Sequence, residues 1–150
     1  MWPEESFDRK EFIRFFVPGQ PIAKGRARSF VRNGIVAHYT PKKTVSYEKL
    51  VSQIASIKMA GKKILLTPVS INIIAFFKIP NSWSKKKKIL AQEGKILPTQ
   101  KPDIDNCLKI LSDSLNGVVW KDDCQVVECL IKKIFSIDPG VQVIISDVMI

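Results

Sequence analysis

Five aspartates lie between positions 103 and 123 of a chain whose formal net charge is +10. Carboxylates that converge repel one another, and one of them takes up a proton unless a cation neutralises the group. Magnesium prefers oxygen ligands and needs only a few carboxylates, because it keeps several waters and also binds the substrate's phosphate. The pattern therefore predicts a divalent metal site for phosphodiester chemistry on nucleic acid, built from some of Asp103, Asp105, Asp113, Asp122 and Asp123.

Spacing suggests a role for several of these residues. Asp103, Asp105 and Asp123 would suffice as metal ligands, and the metal would activate water and stabilise charge developing on phosphorus. Lys109 lies four residues after Asp105, on the same helical face, where its ammonium could contact the scissile phosphate, the attacking water or the departing oxygen. Asp113, one helical turn beyond Lys109, is expected to orient that lysine.

A structural interpretation of the same residues stays open. Asp103 or Asp105 could cap the helix after Pro102, and Asp105 with Lys109 could form an ordinary i,i+4 ion pair. The two later aspartates could lie in a solvated turn. Capping does not require two aspartates before a helix and a second pair after it, so the combination favours a functional site.

The acidic residues belong to a longer pattern, and a basic loop runs from Gly19 to Arg28. The pattern consists of Lys101-Pro102-Asp103-Ile104-Asp105-Asn106-Cys107-Leu108-Lys109, Asp113-Ser114-Leu115-Asn116-Gly117 and Trp120-Lys121-Asp122-Asp123-Cys124-Gln125-Val126. It resembles the signature of the RusA-type Holliday junction resolvases, the basic loop resembles that family's opening segment, and the similarity spans roughly residues 11 to 135. Cys107 replaces the usual leucine and Ser114 the usual alanine, which concerns core packing and not the acidic site.

The resemblance implies a small homodimeric α+β endonuclease, bacterial or phage-borne and cytoplasmic, that resolves four-way DNA junctions in recombination and repair. It implies Mg²⁺ as cofactor, with Mn²⁺ as a substitute, and two-fold symmetry suits paired cuts in a junction. By position, the metal ligands would be Asp103, Asp105 and Asp123, with Asp122 as an additional candidate, and Lys109 would be catalytic. The alternatives are a non-catalytic protein that binds branched DNA, or a nuclease for another branched or duplex DNA.

Two basic groups are candidates for DNA contact. Lys24, Arg26 and Arg28 are spaced by two residues along an extended segment, which puts their side chains on one face. Their alternative role is to protect a solvated strand edge from pairing. The second group is a run of four lysines, whose alternative role is solubility on an exposed helix face. The candidates are Lys24, Arg26, Arg28, Lys85, Lys86, Lys87 and Lys88.

The composition predicts one domain, residues 1–150. A chain of 150 residues that is 45% hydrophobic can bury an adequate core without disulfides. Its three cysteines lack C-x-x-C spacing and a histidine partner, so we expect small, mostly buried thiols in a reducing cytosol. The first residues lack the pattern of a secretory signal, and no segment has the length and hydrophobicity of a membrane span. A pI near 9.7 indicates a polyanionic partner.

Hydrophobic periodicity and turn residues predict an α+β fold with a mixed sheet and two or three packed helices. The turn dipeptide Asn33-Gly34 predicts a hairpin, Thr40 is the expected N-cap of the first long helix, and Ser84 that of a shorter one. A central strand is expected over 69–77. The other expected elements are strands at 11–17, 28–32, 35–39, 126–135 and 141–145, and helices from 40 to about 61, 85–93 and 103–115.

The aromatic residues and the histidine have two interpretations each. Trp83 and Trp120 could stack on exposed bases at a junction centre, although tryptophan is more often a half-buried anchor. For Trp120 we expect a core position. His38 is the only histidine, and it is expected at the surface, because metal-assisted hydrolysis needs no imidazole base.

Overall fold

A four-stranded mixed sheet with helices against it forms the protein, as seen in a computed structural model that describes residues 8–25 and 27–149. This confirms the predicted α+β fold. The elements are β1 (Asp8–Pro18), β2 (Arg28–Arg32), β3 (Ile35–Tyr39), α1 (Lys42–Lys58), β4 (Val69–Lys78), α2 (Lys85–Gln92), α3 (Ile104–Leu115), a 3-10 turn (Asp123–Gln125), β5 (Val126–Ser136) and β6 (Gly140–Met149).

The strand order in the sheet is β1-β6-β4-β5, and the predicted central strand β4 is confirmed. It pairs in parallel with β5 and antiparallel with β6. The turn after β5 therefore does not make a hairpin, because β6 lies on the other side of β4. Val69, Ile71 and Phe77 of β4 are all fully buried, as expected for a strand with neighbours on both edges and helices on its face.

The core lies between the helices and one face of this sheet. Tyr47 and Val51 of α1 and Leu111 and Leu115 of α3 pack into one buried cluster with Ile71. A smaller cluster joins residues of α2, α3, β4 and β5, namely Ala91, Cys107, Ala75, Phe77 and Phe135, together with Ile79 beyond the end of β4. Helix α3 contributes to both clusters, and its other face is free to carry polar groups.

Several local predictions are confirmed. The predicted hairpin is formed by β2 and β3, and both turn residues, Asn33 (φ 53°) and Gly34 (φ 76°), have the positive φ that a two-residue turn requires. The hydroxyl of Ser84 accepts a hydrogen bond from the Lys87 N–H at 3.2 Å, which caps α2. Trp120 is fully buried, and His38 is exposed.

Other local predictions are wrong. The N-cap of α1 is Pro41 and not Thr40, because Pro41 keeps an extended backbone (ψ 138°) and the helix begins at Lys42. The three- and four-residue spacing of Tyr47, Leu50, Val51, Ile54 and Ile57 predicts one buried stripe on α1, but Leu50 and Ile57 are 36% and 75% exposed. Thr44 and Ala55 are buried instead, since the contact face is rotated toward them.

The apolar stripe of α3 and the cysteines also need correction. The spacing of Ile104, Leu108, Leu111 and Leu115 predicts one apolar stripe, but Ile104 is 47% exposed, and the buried residues of α3 begin at Cys107. Cys107 is buried as expected, but Cys124 and Cys129 are exposed. In the described part of the chain, no helix has both the length and the hydrophobicity needed to cross a bilayer.

Candidate active site

A groove of about 410 Å³ runs between α3 and the start of β5. One wall comes from one face of α3, where spacings of three and four residues align side chains. The 3-10 turn and β5 form the other wall. The lining residues are Asp105, Leu108, Lys109, Ser112, Asp123, Val126, Val127, Glu128 and Cys129.

Asp103 and Asp105 occupy the start of α3 in different ways. Asp103 is the N-cap residue, but its side chain makes no capping hydrogen bond. Asp105 lies in the first helical turn and lines the groove, whereas Asp103 does not. Both side chains are exposed. The capping explanation for Asp103 therefore has no support in the geometry, and its carboxylate is available to a ligand.

Lys109 is held by Asp113 and not by Asp105. Lys109 Nζ lies 3.0 Å from Asp113 Oδ1, across one helical turn. Its side chain remains 59% exposed and lines the groove. The contact expected from Asp113 is therefore present. Among the described residues Lys109 makes no ion pair with Asp105.

Asp113 is a strongly held carboxylate. Burial alone would raise its pKa, but hydrogen bonds from Lys24 and Lys109 outweigh burial, and the pKa of Asp113 lies below its ordinary value. It therefore stays ionised at neutral pH and keeps its attraction for both ammonium groups.

Asp122 and Asp123 have separate positions. Asp122 is the N-cap of the 3-10 turn, and its carboxylate accepts a hydrogen bond from the Cys124 N–H at 3.1 Å. The Gln125 side chain accepts in return from the Asp122 N–H at 3.0 Å. Asp123, in contrast, lines the groove. Asp122 thus has a structural task that places its neighbour.

The adjacent carboxylates of Asp122 and Asp123 have pKa values shifted in opposite directions. Hydrogen bonding from the Cys124 backbone, followed by that from Asp123, lowers the pKa of Asp122. The hydrogen bond to Asp122, aided by burial, raises the pKa of Asp123. This is the behaviour of neighbouring acidic groups that share a site, and a cation in the groove would relieve their repulsion.

The groove meets the modest requirements of magnesium, which commonly binds through one or two carboxylates together with waters and substrate phosphates. Asp105 and Asp123 supply two carboxylates to the same groove. Within residues 8–25 and 27–149, however, no three Asp, Glu, His or Cys side chains come together as a group that could hold a metal. The structure thus brings two of the three predicted ligands to one groove, which Asp103 does not line.

Comparison with known proteins identifies the family. A family model described as "Endodeoxyribonuclease RusA" matches residues 18–146, which include the whole groove. The chain belongs to the RusA endodeoxyribonuclease family. The resemblance predicted from the motifs is therefore confirmed. The chain is also 40% identical over 138 residues to the "Uncharacterized protein YqaN" of Bacillus subtilis (strain 168), covering 91% of this chain and 96% of that protein.

Glu128 is an additional acidic residue in the groove of this RusA-family chain, and sequence reasoning missed it. It pairs with Arg9 of β1 and accepts a hydrogen bond from Ser70 Oγ at 2.9 Å. The hydrogen bond from Arg9, supported by that from Ser70, lowers the pKa of Glu128. The available signal was a single carboxylate within the apolar first half of the strand, five residues after Asp123.

The residues of the first basic group have different surroundings. Lys24 lies in ion-pair contact with Asp113 and Glu48. Arg26 lies outside the described residues. Arg28 lines a second groove of about 700 Å³ that also contains Lys43 and Lys101. Among these candidates, Arg28 has surroundings suited to a phosphate contact.

The lysine run lies on α2, as predicted, away from the acidic groove. Lys85, Lys86 and Lys87 are exposed, and Lys88 is partly buried. Lys87 Nζ lies 4.0 Å from the centre of the Trp83 ring. Trp83 in turn packs edge-on against Phe135, with ring centres 5.1 Å apart, so it anchors α2 to the sheet.

Proposed function

We propose that this RusA-family protein is a magnesium-dependent endonuclease that resolves four-way DNA junctions by paired phosphodiester cleavage. We further propose that it acts as a cytoplasmic homodimer in DNA recombination and repair. The observation that carries the proposal is the convergence of Asp105, Lys109 and Asp123 on one groove of a RusA-family chain. The formal charge of +10 supports it, because such a chain attracts phosphates.

Each groove residue has a proposed task. Asp105 and Asp123, with Asp103 beside them, would hold Mg²⁺, and Mn²⁺ has the same preference for oxygen ligands. When bound, the ion would supply an activated water and stabilise charge on the phosphoryl oxygens. Lys109, which Asp113 contacts at 3.0 Å, would present its ammonium to the scissile phosphate. Asp122 places Asp123 by capping the 3-10 turn.

DNA binding would use cations outside the acidic groove. Lys85 and Lys86 are exposed on α2, and Arg28 shares its groove with two further cations. Replacing Lys85 and Lys86 with glutamine is expected to weaken junction binding. The slope of log K for association against log salt concentration is negative, and each lost phosphate contact should make it less negative by about 0.9. An unchanged slope would assign the lysine run to solubility.

Cleavage of a fixed four-way junction, with and without Mg²⁺, tests the function. Wild type should cut the junction only with metal and in symmetric strands. Asp105→Asn and Asp123→Asn should each reduce the rate at least about 100-fold, as expected for the loss of a metal ligand. Asp138→Asn, in an exposed turn outside the groove, is the matched control. Folded Asp105→Asn protein that cuts at the normal rate would refute the proposal.

The same experiment separates the two alternatives. A non-catalytic DNA-binding protein would shift the junction in a gel and leave its strands intact with Mg²⁺ present. A nuclease for other DNA would cut flaps or linear duplexes as well as it cuts junctions. Junction binding by the aspartate variants should persist or strengthen, because they remove negative charge near phosphates.

The proposed dimer is tested by sedimentation. A chain of 17.0 kDa should sediment at twice that mass if it forms the homodimer. Paired cuts also require both sites, so mixed dimers with one Asp105→Asn subunit should produce nicked junctions. A monomer that makes paired cuts would contradict this part of the proposal.

A further inference from the structure

Lys24 belongs to an ion-pair network that reaches the candidate active site. Its ammonium lies 2.5 Å from Asp113 Oδ2 and 3.1 Å from Glu48 Oε1. The other oxygen of Asp113 contacts Lys109 Nζ at 3.0 Å. Asp113 therefore stands between two lysines, one on each carboxylate oxygen.

The loop that carries Lys24 is fixed to α1. The Gly25 N–H donates a hydrogen bond to Thr44 Oγ1 at 2.9 Å. A Cβ at residue 25 would lie 2.7 Å from Pro41 Cγ and 2.8 Å from Thr44 Oγ1, so only glycine allows this close approach. Thr44 is itself buried, at 2% exposure. Packing at Gly25 thus fixes the backbone next to Lys24 independently of the contact between the Lys24 side chain and Asp113.

The partners of Lys24 are less accessible than Lys109. The side chain of Asp113 is 18% exposed and that of Glu48 is 26% exposed, whereas that of Lys109 is 59% exposed. Lys24 holds its two acidic partners at the inner side of the network, and Lys109 lies at the outer side. Two carboxylates already neutralise the Lys24 ammonium, so a phosphate would gain less attraction there than at Lys109, which contacts one.

We propose that Lys24 is a positioning residue for the reaction: it fixes the carboxylate of Asp113, and through Asp113 it holds the Lys109 ammonium at the groove. This inference rests on the proposed function and changes the role of Lys24 from a DNA contact to a support for a catalytic lysine. Residues that orient a metal ligand typically contribute ten- to hundredfold to activity, and we expect a similar contribution from a residue that orients the catalytic lysine. Glu48 gives the Lys24 ammonium a second carboxylate partner, at 3.1 Å.

The test compares Lys24→Met, Lys24→Arg and the control Lys58→Met, which removes one exposed positive charge at the far end of α1. We expect Lys24→Met to reduce kcat on a four-way junction at least about tenfold. Its Kd for uncut junction, measured with Ca²⁺ in place of Mg²⁺, and the salt slope of that Kd should stay unchanged. Lys24→Arg should restore most of kcat, because guanidinium can donate to both carboxylates.

A DNA-contact role gives the opposite result. In that case Lys24→Met would raise Kd and reduce the steepness of its salt dependence by about 0.9, as the loss of one phosphate contact does. That outcome, or a kcat equal to that of Lys58→Met, would overturn the inference.

A double-mutant cycle with Asp113→Asn tests the route through Asp113. If Lys24 acts through Asp113, Lys24→Met should have little further effect on kcat once Asp113→Asn is present. Additive effects would overturn the inference. Urea unfolding of the same four proteins measures the Lys24–Asp113 contact without reference to cleavage, and zero coupling there would also overturn it. Absence of cleavage by wild type on every DNA would instead refute the proposed function.

Discussion

Gln125 and Asp122 hold each other in a reciprocal cap at the entrance of β5. Gln125 Oε1 accepts a hydrogen bond from the Asp122 N–H at 3.0 Å, and the Asp122 carboxylate accepts from the Gln125 N–H. Gln125 Nε2 also donates to the carbonyl oxygens of Leu65 and Thr67, at 2.9 and 3.0 Å. One side chain therefore ties the turn that carries Asp123 to the segment before β4.

Replacing Gln125 with alanine should loosen that turn and misplace Asp123. We expect the free energy of unfolding to fall by about 1–3 kcal/mol, because several hydrogen bonds lose their partner. The cleavage rate should fall further than stability explains, since Asp123 loses its fixed position. Urea unfolding and junction cleavage measure the two effects. Gln53→Ala, on the exposed side of α1, is the matched control; equal rates for both variants would contradict the prediction.

Local sequence signals predicted the local parts of this structure. The turn Asn33-Gly34 predicted the hairpin and Ser84 predicted a cap, because each depends on the conformational preference of a few neighbouring residues. The motif around Asp105 and Lys109 likewise placed two groove residues on one helical face. In each case the information lies within about one turn of the chain.

Contacts between distant residues were not predictable in the same way. Lys24 and Asp113 are 89 residues apart in sequence, and Glu128 meets an arginine 119 residues away. Alternation in a basic loop indicates a common face, but it does not reveal that a carboxylate occupies that face. The role proposed for Lys24 rests on the packing of its loop against α1, which only the folded chain shows.

Trp120 should be a major contributor to stability. It is fully buried, and its indole N–H donates to Asn116 Oδ1 at 2.7 Å. Trp120→Ala should lower the free energy of unfolding by about 3–5 kcal/mol, and Trp120→Phe by less, because phenylalanine keeps most of the packed ring. Urea titration monitored by circular dichroism measures this loss. Trp83→Ala, at a partly buried tryptophan, should lose less than Trp120→Ala; an equal loss would contradict the prediction.

Asp113 should make stability depend on acid pH. Burial opposes ionisation, but the hydrogen bonds from Lys24 and Lys109 prevail, so its folded pKa is below its unfolded value. Its stabilising contribution is therefore complete above an unfolded pKa of about 3.9 and is lost as the pH falls through the folded pKa. Between pH 7 and pH 2.5, the free energy of unfolding should fall less in Asp113→Asn than in wild type. Parallel curves would rule out this contribution.

The three cysteines should differ in their reaction with iodoacetamide, because the thiolate is the reactive form. Burial raises the pKa of Cys107 to about 11, and that residue is only 3% exposed. Burial of the thiol also raises the pKa of Cys129, although the residue as a whole is exposed. We expect Cys124 to react first, Cys129 more slowly and Cys107 only after unfolding. Mass spectrometry over time reads the order, and early labelling of Cys107 would contradict it.

Magnesium should stabilise the fold through the groove aspartates. A ligand that binds only the native state raises the free energy of unfolding by about 1.4 kcal/mol at ten times its Kd. The bound ion should relieve repulsion at Asp123, whose pKa is raised by its hydrogen bond to Asp122 and by burial. Melting temperature, measured with MgCl₂ against NaCl at equal ionic strength, should rise for wild type and for Asp138→Asn. Because Asp105 and Asp123 line the same groove, replacing either with asparagine should abolish the rise, and an undiminished rise in both variants would place the ion elsewhere.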